Sequence, residues 1–276
     1  MSKQFIETHE NGVTTLTLNR PEALNAFSSD IMGGLQESLP RLAKDPEVRV
    51  VVLTGSGKAF SAGGDVKGFA AASSTPAQGT EKGSNESPQV TFENRVASLR
   101  KSTEISELLY SMPKPTIACI PGVAAGGGLS VALACDMRLG CASARITTAF
   151  GKIAVSGDYG GSYFLAKLVG IAKAKELYFT SEIVHAEEAL KLGILNHVYP
   201  DHEFKQRCAE FIEKVSSMSP LAMRRMKSNL NYSETRSLAE VLDLEAEHMT
   251  HSFDSEDHKI GSMAFVTKEK PLFKGT

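Results

Sequence analysis

Three consecutive glycines, Gly126 to Gly128, are the segment that most constrains how this chain can fold. They stand between the apolar run TIACIPG, which overlaps a predicted buried strand over Lys114–Pro121, and a small-residue run to Cys135 that predicts a helix. Glycine lowers helix stability by about 1 kcal/mol relative to alanine, so three at a helix entrance are costly. In return, a strand, a glycine turn and a helix in this order let a ligand approach the backbone N–H groups at the helix start.

A second glycine-rich loop, GSGKAFSAGGD (55–65), follows another predicted buried strand, Val48–Thr54. It is not a phosphate-binding P-loop, because Val52 and Ala59 stand where that motif requires a glycine and a serine or threonine. Both loops can project N–H groups above the strand ends, and two such groups converging on one oxygen form an oxyanion hole. Tight turns and close packing explain the same glycines equally well, so the spacing leaves both interpretations open.

The pattern of the whole chain changes near residue 200. Before that point β-type runs alternate with helical runs, which is typical of an α/β core. After it, amphipathic stretches such as EVLDLEAEHMTHSF indicate helices. We expect a core over 1–200, a helical portion over 201–276, and a surface flap over the Ser-, Gly- and Pro-rich residues 70–90. Other predicted elements are strands at Val13–Asn19, Met137–Ala142 and Gly193–Tyr199, and helices from the N-cap Ser28 to Ala43 and from Phe92 to Tyr110.

Composition and charge exclude several classes of function. A formal net charge of −2 provides no electrostatic footprint for nucleic acid or an acidic membrane surface. No apolar run has the length of a membrane span, and MSKQFIETHENG lacks a signal-peptide core, so we expect no membrane association. We expect a cytoplasmic protein, or an organellar one after removal of a targeting peptide. The 4 cysteines lack CxxC spacing and the 7 histidines lack paired metal-ligand spacing, so reduced thiols and no metal site are expected.

The pentapeptide GLSVA (128–132) approaches the GxSxG motif of serine hydrolases, but its last glycine is missing. Ser130 also falls inside the predicted helix and not on a tight turn between a strand and a helix. We therefore expect Ser130 to be a packing residue or part of a pocket wall.

Several ordered motifs together resemble the enoyl-CoA hydratase/isomerase, or crotonase, superfamily, over essentially the whole chain. The resemblance implies an α/β fold, a crotonase-like spiral of ββα units with a helical C-terminal portion. It also implies a homotrimer or homohexamer, an acyl thioester of coenzyme A as substrate, and no permanently bound cofactor. Residues 201–276 would then form a trimerisation region that covers coenzyme A. The motifs are LNRPEALNAF (18–27), GSGKAFSAGGD (55–65), PTIACIPGVAAGGGLSVALACDMRLG (115–140), ITTAFGKIAVSGDYGGSYFLAKLVG (146–170) and AFVTKEKPLFKG (264–275).

The resemblance also assigns roles to individual residues. The backbone N–H groups of Ala62 and Gly127 would be the oxyanion donors. One loop would line the pantetheine and adenine end of the coenzyme A site, and its residues are Ala62, Gly63, Gly64 and Asp65. Phe265 and Lys268 would reach the coenzyme A bound to a neighbouring subunit. Simpler alternatives stay open for three of these: a loop-capping carboxylate at Asp65, and an ordinary helix-end hydrophobe and a solvated lysine at Phe265 and Lys268.

The chain departs from the common hydratase pattern at both catalytic glutamates of the resembled family. Ser130 and Phe150 stand at those positions, and neither can act as a general base near neutral pH. Asp158 falls where phenylacetate-pathway isomerases of the superfamily carry an aspartate. We expect apolar neighbours, including Phe150, Tyr159 and Met137, to raise its proton affinity; the alternative is a turn carboxylate or a helix N-cap.

These features predict an enoyl-CoA isomerase in which Asp158 is the acid and base, because a double-bond shift needs fewer ionisable groups than hydration. One alternative is a hydratase that uses Asp158 and a water held by an unidentified second polar group. Another is a protein that binds acyl-CoA without catalysis.

Overall fold

The computed structural model describes residues 3–65 and 91–276. The flap expected over residues 70–90 lies outside these described residues. Within the described ranges, the strands form a six-stranded sheet and a four-stranded sheet, with helices packed around them. No helix in these ranges is long and apolar enough to cross a lipid bilayer.

The larger sheet is parallel except at one edge. The first two strands pair as an antiparallel hairpin, and every later neighbour is parallel. The two central strands are buried along nearly their whole length, as their β-branched and small apolar residues predict. In spatial order the strands are β1 (Phe5–Glu10), β2 (Val13–Leu18), β3 (Val50–Gly55), β5 (Thr116–Ile120), β7 (Met137–Cys141) and β10 (His197–Tyr199).

The smaller sheet is built from very short strands. In spatial order they are β4 (Ala59–Ser61), β6 (Val123–Ala125), β8 (Arg145–Thr147) and β9 (Val184–His185). Three times the chain places one strand in the larger sheet and the next in the smaller: β3 then β4, β5 then β6, and β7 then β8. Helices follow these strand pairs, so the predicted spiral of ββα units is confirmed.

The helices begin where the sequence places capping residues. The side chain of Ser28 accepts a hydrogen bond from the backbone N–H of Ile31 at 3.3 Å, which confirms the predicted N-cap of the first helix. The helical run predicted over 92–110 is two helices, because it is interrupted at Thr103, whose hydroxyl donates to the carbonyl of Arg100. The bounds are α1 (Ser29–Lys44), α2 (Phe92–Ser102), α3 (Glu104–Ser111), α4 (Gly127–Leu133), α5 (Gly161–Val169), α6 (Ile171–Thr180) and α7 (Ala186–Lys191).

The C-terminal portion is helical, as predicted. The strand expected over Gly193–Tyr199 shortens to β10, because the N–H groups of Ile194 and Leu195 both donate to the carbonyl of Ala189 and form a turn. The last residues of the chain are fixed by Asp257, whose carboxylate accepts from the N–H of Lys274 at 2.7 Å. The helices are α8 (Phe204–Ser216), α9 (Pro220–Ser233), α10 (Leu238–Phe253) and α11 (Glu256–Thr267).

The smaller sheet brings the two glycine-rich loops together. Strands β4 and β6 are parallel neighbours, with Ser61 paired to Ala124. The carboxyl ends of parallel neighbours lie at the same edge of a sheet, and each glycine-rich loop continues from one of these ends. The topology therefore places both loops at one site.

Candidate active site

The loop after β4 has one backbone N–H group free to bind a ligand. The N–H of Ala62 donates to the carbonyl of Leu24 at 2.9 Å, and the N–H of Gly63 donates to the hydroxyl of Ser61 at 3.0 Å. The N–H of Gly64 has no acceptor within residues 3–65 and 91–276. The prediction that Ala62 is an oxyanion donor is therefore wrong for this structure, because its N–H is already paired.

A buried asparagine holds this loop in place. Asn25 is fully buried, and its side-chain amide donates to the carbonyls of Ser56 at 2.9 Å and Ala59 at 2.8 Å. Its side-chain oxygen accepts from the N–H of Arg20 at 2.8 Å, and its own carbonyl accepts from the hydroxyl of Ser61 at 2.8 Å. Asn25 of the LNRPEALNAF motif thus holds the loop in place through hydrogen bonds, which the motif as a sequence pattern did not reveal.

The glycines of the second loop allow a close approach between the two loops. Gly126 has φ +54°, in the region that favours glycine. A β-carbon on Gly128 would lie 2.6 Å from the carbonyl oxygen of Ser61, and one on Gly63 would lie 2.8 Å from the backbone nitrogen of Gly127. Larger residues at these positions would force the loops apart, so the glycines are explained by contact and not only by turn geometry.

Gly127 is the first residue of α4, where the backbone N–H groups of a helix have no partner inside the helix. Its N–H has no acceptor among the residues that the structure describes. The contact at Gly63 joins this helix start to the loop that carries Gly64. Two unpaired N–H groups therefore belong to two segments in direct contact.

Asp158 lies against Gly127, as the predicted site requires. A β-carbon on Gly127 would be 3.2 Å from Asp158 Oδ1. This oxygen is buried and has no hydrogen-bond partner in the described part of the chain. Burial away from water raises the pKa of Asp158 to about 6, because the charged carboxylate loses its hydration without gaining a donor. A carboxyl group in this state can exchange a proton near neutral pH.

Aromatic rings supply the apolar environment of this aspartate. Tyr159 is 8% exposed and packs edge-to-face on Phe27, with 5.4 Å between ring centroids. Phe150, 6% exposed, stacks on Tyr178 at 5.9 Å. The prediction of an apolar surrounding with Phe150 and Tyr159 is confirmed. Met137, the third predicted neighbour, instead lines a separate cavity of about 420 Å³ next to α9.

Two hydroxyl groups converge at the start of α5. A β-carbon on Gly161 would lie 2.3 Å from Ser130 Oγ and 2.7 Å from Tyr178 Oη, so both oxygens lie over the same α-carbon. Ser130 is 1% exposed, as expected of a packing residue, and donates to the carbonyl of Gly126 at 3.3 Å. Burial, and after it the charge of Asp158, raises the pKa of Tyr178 to about 12. No sequence motif singled out Tyr178.

The predicted coenzyme A contacts are dispersed along the chain. Asp65 forms an ion pair with Arg20 at 2.8 Å, which matches the alternative of a carboxylate that holds the loop. Phe265 is 87% exposed on α11. Lys268 ends that helix with φ +59°, and its N–H donates to the carbonyl of Ala264. Contact of these last two residues with a neighbouring subunit's coenzyme A stays a prediction.

Metal ligation and disulfide chemistry have no support in the described ranges. Within residues 3–65 and 91–276, no group of three or more His, Cys, Asp or Glu side chains is placed to hold a metal ion. The cysteines are free thiols, and all of them are buried: Cys119, Cys135, Cys141 and Cys208.

Comparison with known proteins gives one consistent result. A family model described as enoyl-CoA hydratase/isomerase matches residues 8–276. The 1,2-epoxyphenylacetyl-CoA isomerase of Escherichia coli is 32% identical over 273 residues, covering 99% of each chain. The short-chain-enoyl-CoA hydratase of Clostridium acetobutylicum is 31% identical over 262 residues, covering 95% of this chain and 94% of the relative. The crystal structure of an enoyl-CoA hydratase from Bacillus anthracis superposes with a TM-score of 0.87 at 30% identity, covering 99% of this chain and 100% of that one.

Proposed function

The chain belongs to the enoyl-CoA hydratase/isomerase family, and we propose that it is an enoyl-CoA isomerase with Asp158 as its one proton carrier. The substrate is an acyl thioester of coenzyme A, and no permanently bound cofactor is required. The reaction moves a double bond along the acyl chain, so substrate and product have the same mass.

The position of Asp158 carries this proposal. Its Oδ1 is buried without a hydrogen-bond partner among the described residues and lies beside Gly127. A structural turn carboxylate or an N-cap is expected to accept hydrogen bonds from neighbouring N–H groups. A buried oxygen without a partner costs stability, which is the pattern expected where a group is kept for function.

The N–H groups of Gly127 and Gly64 are proposed to hold the thioester oxygen. Gly64 replaces Ala62 in this role, since the N–H of Ala62 is paired with the carbonyl of Leu24. Both proposed donors are unpaired in the described chain, and their segments touch at Gly63. Removing one such donor typically costs about 3 kcal/mol of transition-state stabilisation.

The proton path follows from these positions. The ionised carboxylate of Asp158 takes a proton from the α carbon of a 3-enoyl thioester. The electron pair left on carbon spreads over the double bond and the thioester oxygen, where the two N–H groups stabilise the charge. Asp158 then returns the proton to the γ carbon. A pKa of about 6 lets the same group act as base and acid near neutral pH.

Hydration is the second candidate function, and one feature of the site favours it. A hydratase with a single carboxylate needs another polar group to hold water, and the hydroxyls of Ser130 and Tyr178 both lie over Gly161. In this reaction Asp158 takes a proton from the water as its oxygen bonds to the β carbon, and delivers that proton to the α carbon. Binding of acyl-CoA without catalysis is the least supported alternative, since an unpaired buried carboxyl has no purpose in it.

Assembly as a homotrimer or homohexamer is proposed together with this function, and so is a cytoplasmic location. The C-terminal helices carry exposed apolar side chains that a partner copy would cover. In such an assembly, Phe265 and Lys268 would reach a neighbouring subunit's coenzyme A. The exposed apolar residues include Leu230, Leu238, Leu242, Met249, Phe253, Met263, Phe265 and Val266.

The test follows 3-enoyl-CoA and 2-enoyl-CoA in parallel in deuterated water, with products identified by mass. Isomerisation gives a product of unchanged carbon and oxygen content, whereas hydration adds one water. Asp158→Asn is expected to abolish both, and Asp243→Asn, on the exposed side of α10, is the matched control. Full activity of Asp158→Asn would refute the proposed role, and a wild-type product that is only the water adduct would establish the hydratase instead.

A further inference from the structure

The turn that begins at Asp158 has an unusual residue at its first central position. The N–H of Gly161 donates to the carbonyl of Asp158 at 3.1 Å, and the two residues between them have φ +51° at Tyr159 and φ +76° at Gly160. A positive φ at both central residues is the pattern of a type I′ turn, which favours asparagine, aspartate or glycine at the first of them. A residue as bulky as tyrosine rarely adopts this conformation, so contacts with other segments must hold it there.

Contacts at both ends of the Tyr159 side chain supply this restraint. Its ring packs edge-to-face on Phe27, with 5.4 Å between the ring centroids. Its hydroxyl donates to the hydroxyl of Ser102, the last residue of α2, at 3.4 Å, and to the sulfur of Met32 on α1 at 3.9 Å. The side chain is therefore held by α1, by α2 and by the segment just before α1, all of which lie outside the turn.

The left-handed backbone brings the carboxylate of Asp158 and the ring of Tyr159 to the same place. Consecutive side chains of an extended segment point to opposite sides. Here both side chains face the α-carbon of Gly127, where a β-carbon would be 3.2 Å from Asp158 Oδ1 and 3.2 Å from Tyr159 Cδ2. With an ordinary negative φ at Tyr159 the chain would turn the other way, and the two side chains could not both stay against Gly127.

Phe27 connects this turn to the loop that carries the other proposed oxyanion donor. Its Cε2 would be 3.3 Å from a β-carbon on Gly127, so its ring also faces the helix start. The backbone N–H of Phe27 donates to the carbonyl of Gly63 at 2.7 Å. The ring on which Tyr159 packs is therefore fixed relative to both segments of the proposed oxyanion hole.

We propose that Tyr159 is a positioning residue, whose ring, packed on Phe27, holds the turn in its left-handed form and keeps the Asp158 carboxyl against Gly127 and away from water. The inference rests on the proposed function, because it concerns the group that carries the proton there. Within the described chain, the side chains whose pKa the charge of Asp158 raises are Tyr159 and Tyr178, in both cases after burial. Both hydroxyls therefore stay protonated at neutral pH, and the ring of Tyr159 acts through its packing.

Steady-state kinetics across pH test this role. Tyr159→Gly tolerates the positive φ but removes the ring, so kcat should fall about 100-fold, as for a misplacement of about 1 Å, with KM nearly unchanged. Because water then reaches Asp158, the midpoint of the kcat/KM profile should fall by at least about 1 pH unit. Tyr159→Phe keeps the ring and loses only long hydrogen bonds, so its kcat should stay within about 3-fold of wild type. Tyr163→Ala, which truncates an exposed tyrosine on α5, is the matched control and should leave the profile in place.

A second measurement reports on the carboxyl without any turnover. The carbon-13 NMR signal of the Asp158 carboxyl, assigned by its absence in Asp158→Asn, gives the pKa of this group directly. We expect a pKa of about 6 in wild type and in Tyr159→Phe, and a lower pKa in Tyr159→Gly. Full activity of Asp158→Asn would refute the proposed function, and the titration would still decide whether Tyr159 positions the carboxyl.

An unchanged carboxyl pKa in Tyr159→Gly would overturn the proposal. Equal losses of kcat in Tyr159→Phe and Tyr159→Gly would also overturn it, because they would assign the effect to the hydroxyl and not to the ring. So would the same pKa change in Tyr163→Ala. Thermal unfolding verifies that each variant is folded. Should Tyr159→Gly fail to fold, Phe27→Leu decides, because it removes the ring on which Tyr159 packs: a lowered carboxyl pKa is expected, and an unchanged one would overturn the proposal.

Discussion

Replacing Asp158 by asparagine should remove catalysis and stabilise the protein at the same time. Asparagine has nearly the same shape but no charge, so the packing against Gly127 is retained. Loss of a general acid–base group typically lowers the rate by about 100- to 10,000-fold. The stability gain follows from the buried, unpartnered Oδ1, because an ionised carboxylate without a donor is unfavourable in the folded state.

The size of the gain can be worked out from the pKa shift. The pKa of Asp158 is raised from 3.8 to about 6, so the folded state holds the proton more tightly than the unfolded state does. Its contribution to the free energy of unfolding is fully present below pH 3.8 and is lost as pH rises through about 6. At about 1.36 kcal/mol per pKa unit the complete loss is about 3 kcal/mol. Only about half of this loss falls between pH 5 and pH 8. Partial exposure of the side chain reduces the expected change between these two pH values to about 1 kcal/mol.

Urea unfolding of wild type and Asp158→Asn at pH 5 and pH 8 measures this effect. The stability of the variant relative to wild type is expected to be about 1 kcal/mol more favourable at pH 8 than at pH 5. Asp243→Asn, an exposed aspartate on α10, should show no such change. A relative stability that is the same at both pH values would refute a buried, unpaired carboxylate, and unchanged turnover would refute its role as proton carrier.

Three further predictions concern the same site. The kcat/KM of wild type should rise with pH through about 6 and then level off, because the base form of Asp158 is the ionised one; a flat pH profile would contradict this. Gly128→Ala should destabilise the protein by about 1–3 kcal/mol and lower activity, since its β-carbon would lie 2.6 Å from the carbonyl oxygen of Ser61. Denaturant unfolding measures the loss, and Gly33→Ala, which has open space around it, is the control. Asn25→Ala removes two hydrogen bonds to backbone carbonyls, one buried and one partly buried, and should cost about 2–3 kcal/mol, with a matching loss of turnover. Wild-type stability in denaturant would show that the loop is held in another way.

The elements with a clear local signal were predictable. The N-cap at Ser28, the buried strands β3 and β5 and the C-terminal helices follow from capping chemistry, apolar runs and helical periodicity. The short strands β4, β6 and β8 were not separately predicted, because three residues are too few for an alternating pattern to be visible. Their pairing depends on neighbours that are distant in the sequence.

In the candidate site, too, some residues were predictable from the sequence and others were not. Gly127 and Asp158 were identified by motif resemblance, and the structure places them in contact. The error at Ala62 arose because a motif indicates which loop faces the site but not which N–H group is already paired; the carbonyl of Leu24 decides that. Tyr178 carries no local signal at all, since its position beside Ser130 and Gly161 depends on how distant segments pack.

The sequence by itself determined the alternation of strands and helices and the two glycine-rich turns. It also identified Asp158 as the one acid–base candidate, in place of the two glutamates of the common hydratases. These features are local, because they depend on the conformational freedom of glycine, on apolar periodicity and on the charge of one side chain. Only the tertiary structure decided that Gly64 and not Ala62 has a free N–H, that Asp158 is buried without a donor, and that Tyr178 lies beside Ser130. Burial and hydrogen-bond pairing are set by contacts between distant segments, and those contacts exist only once the chain has folded.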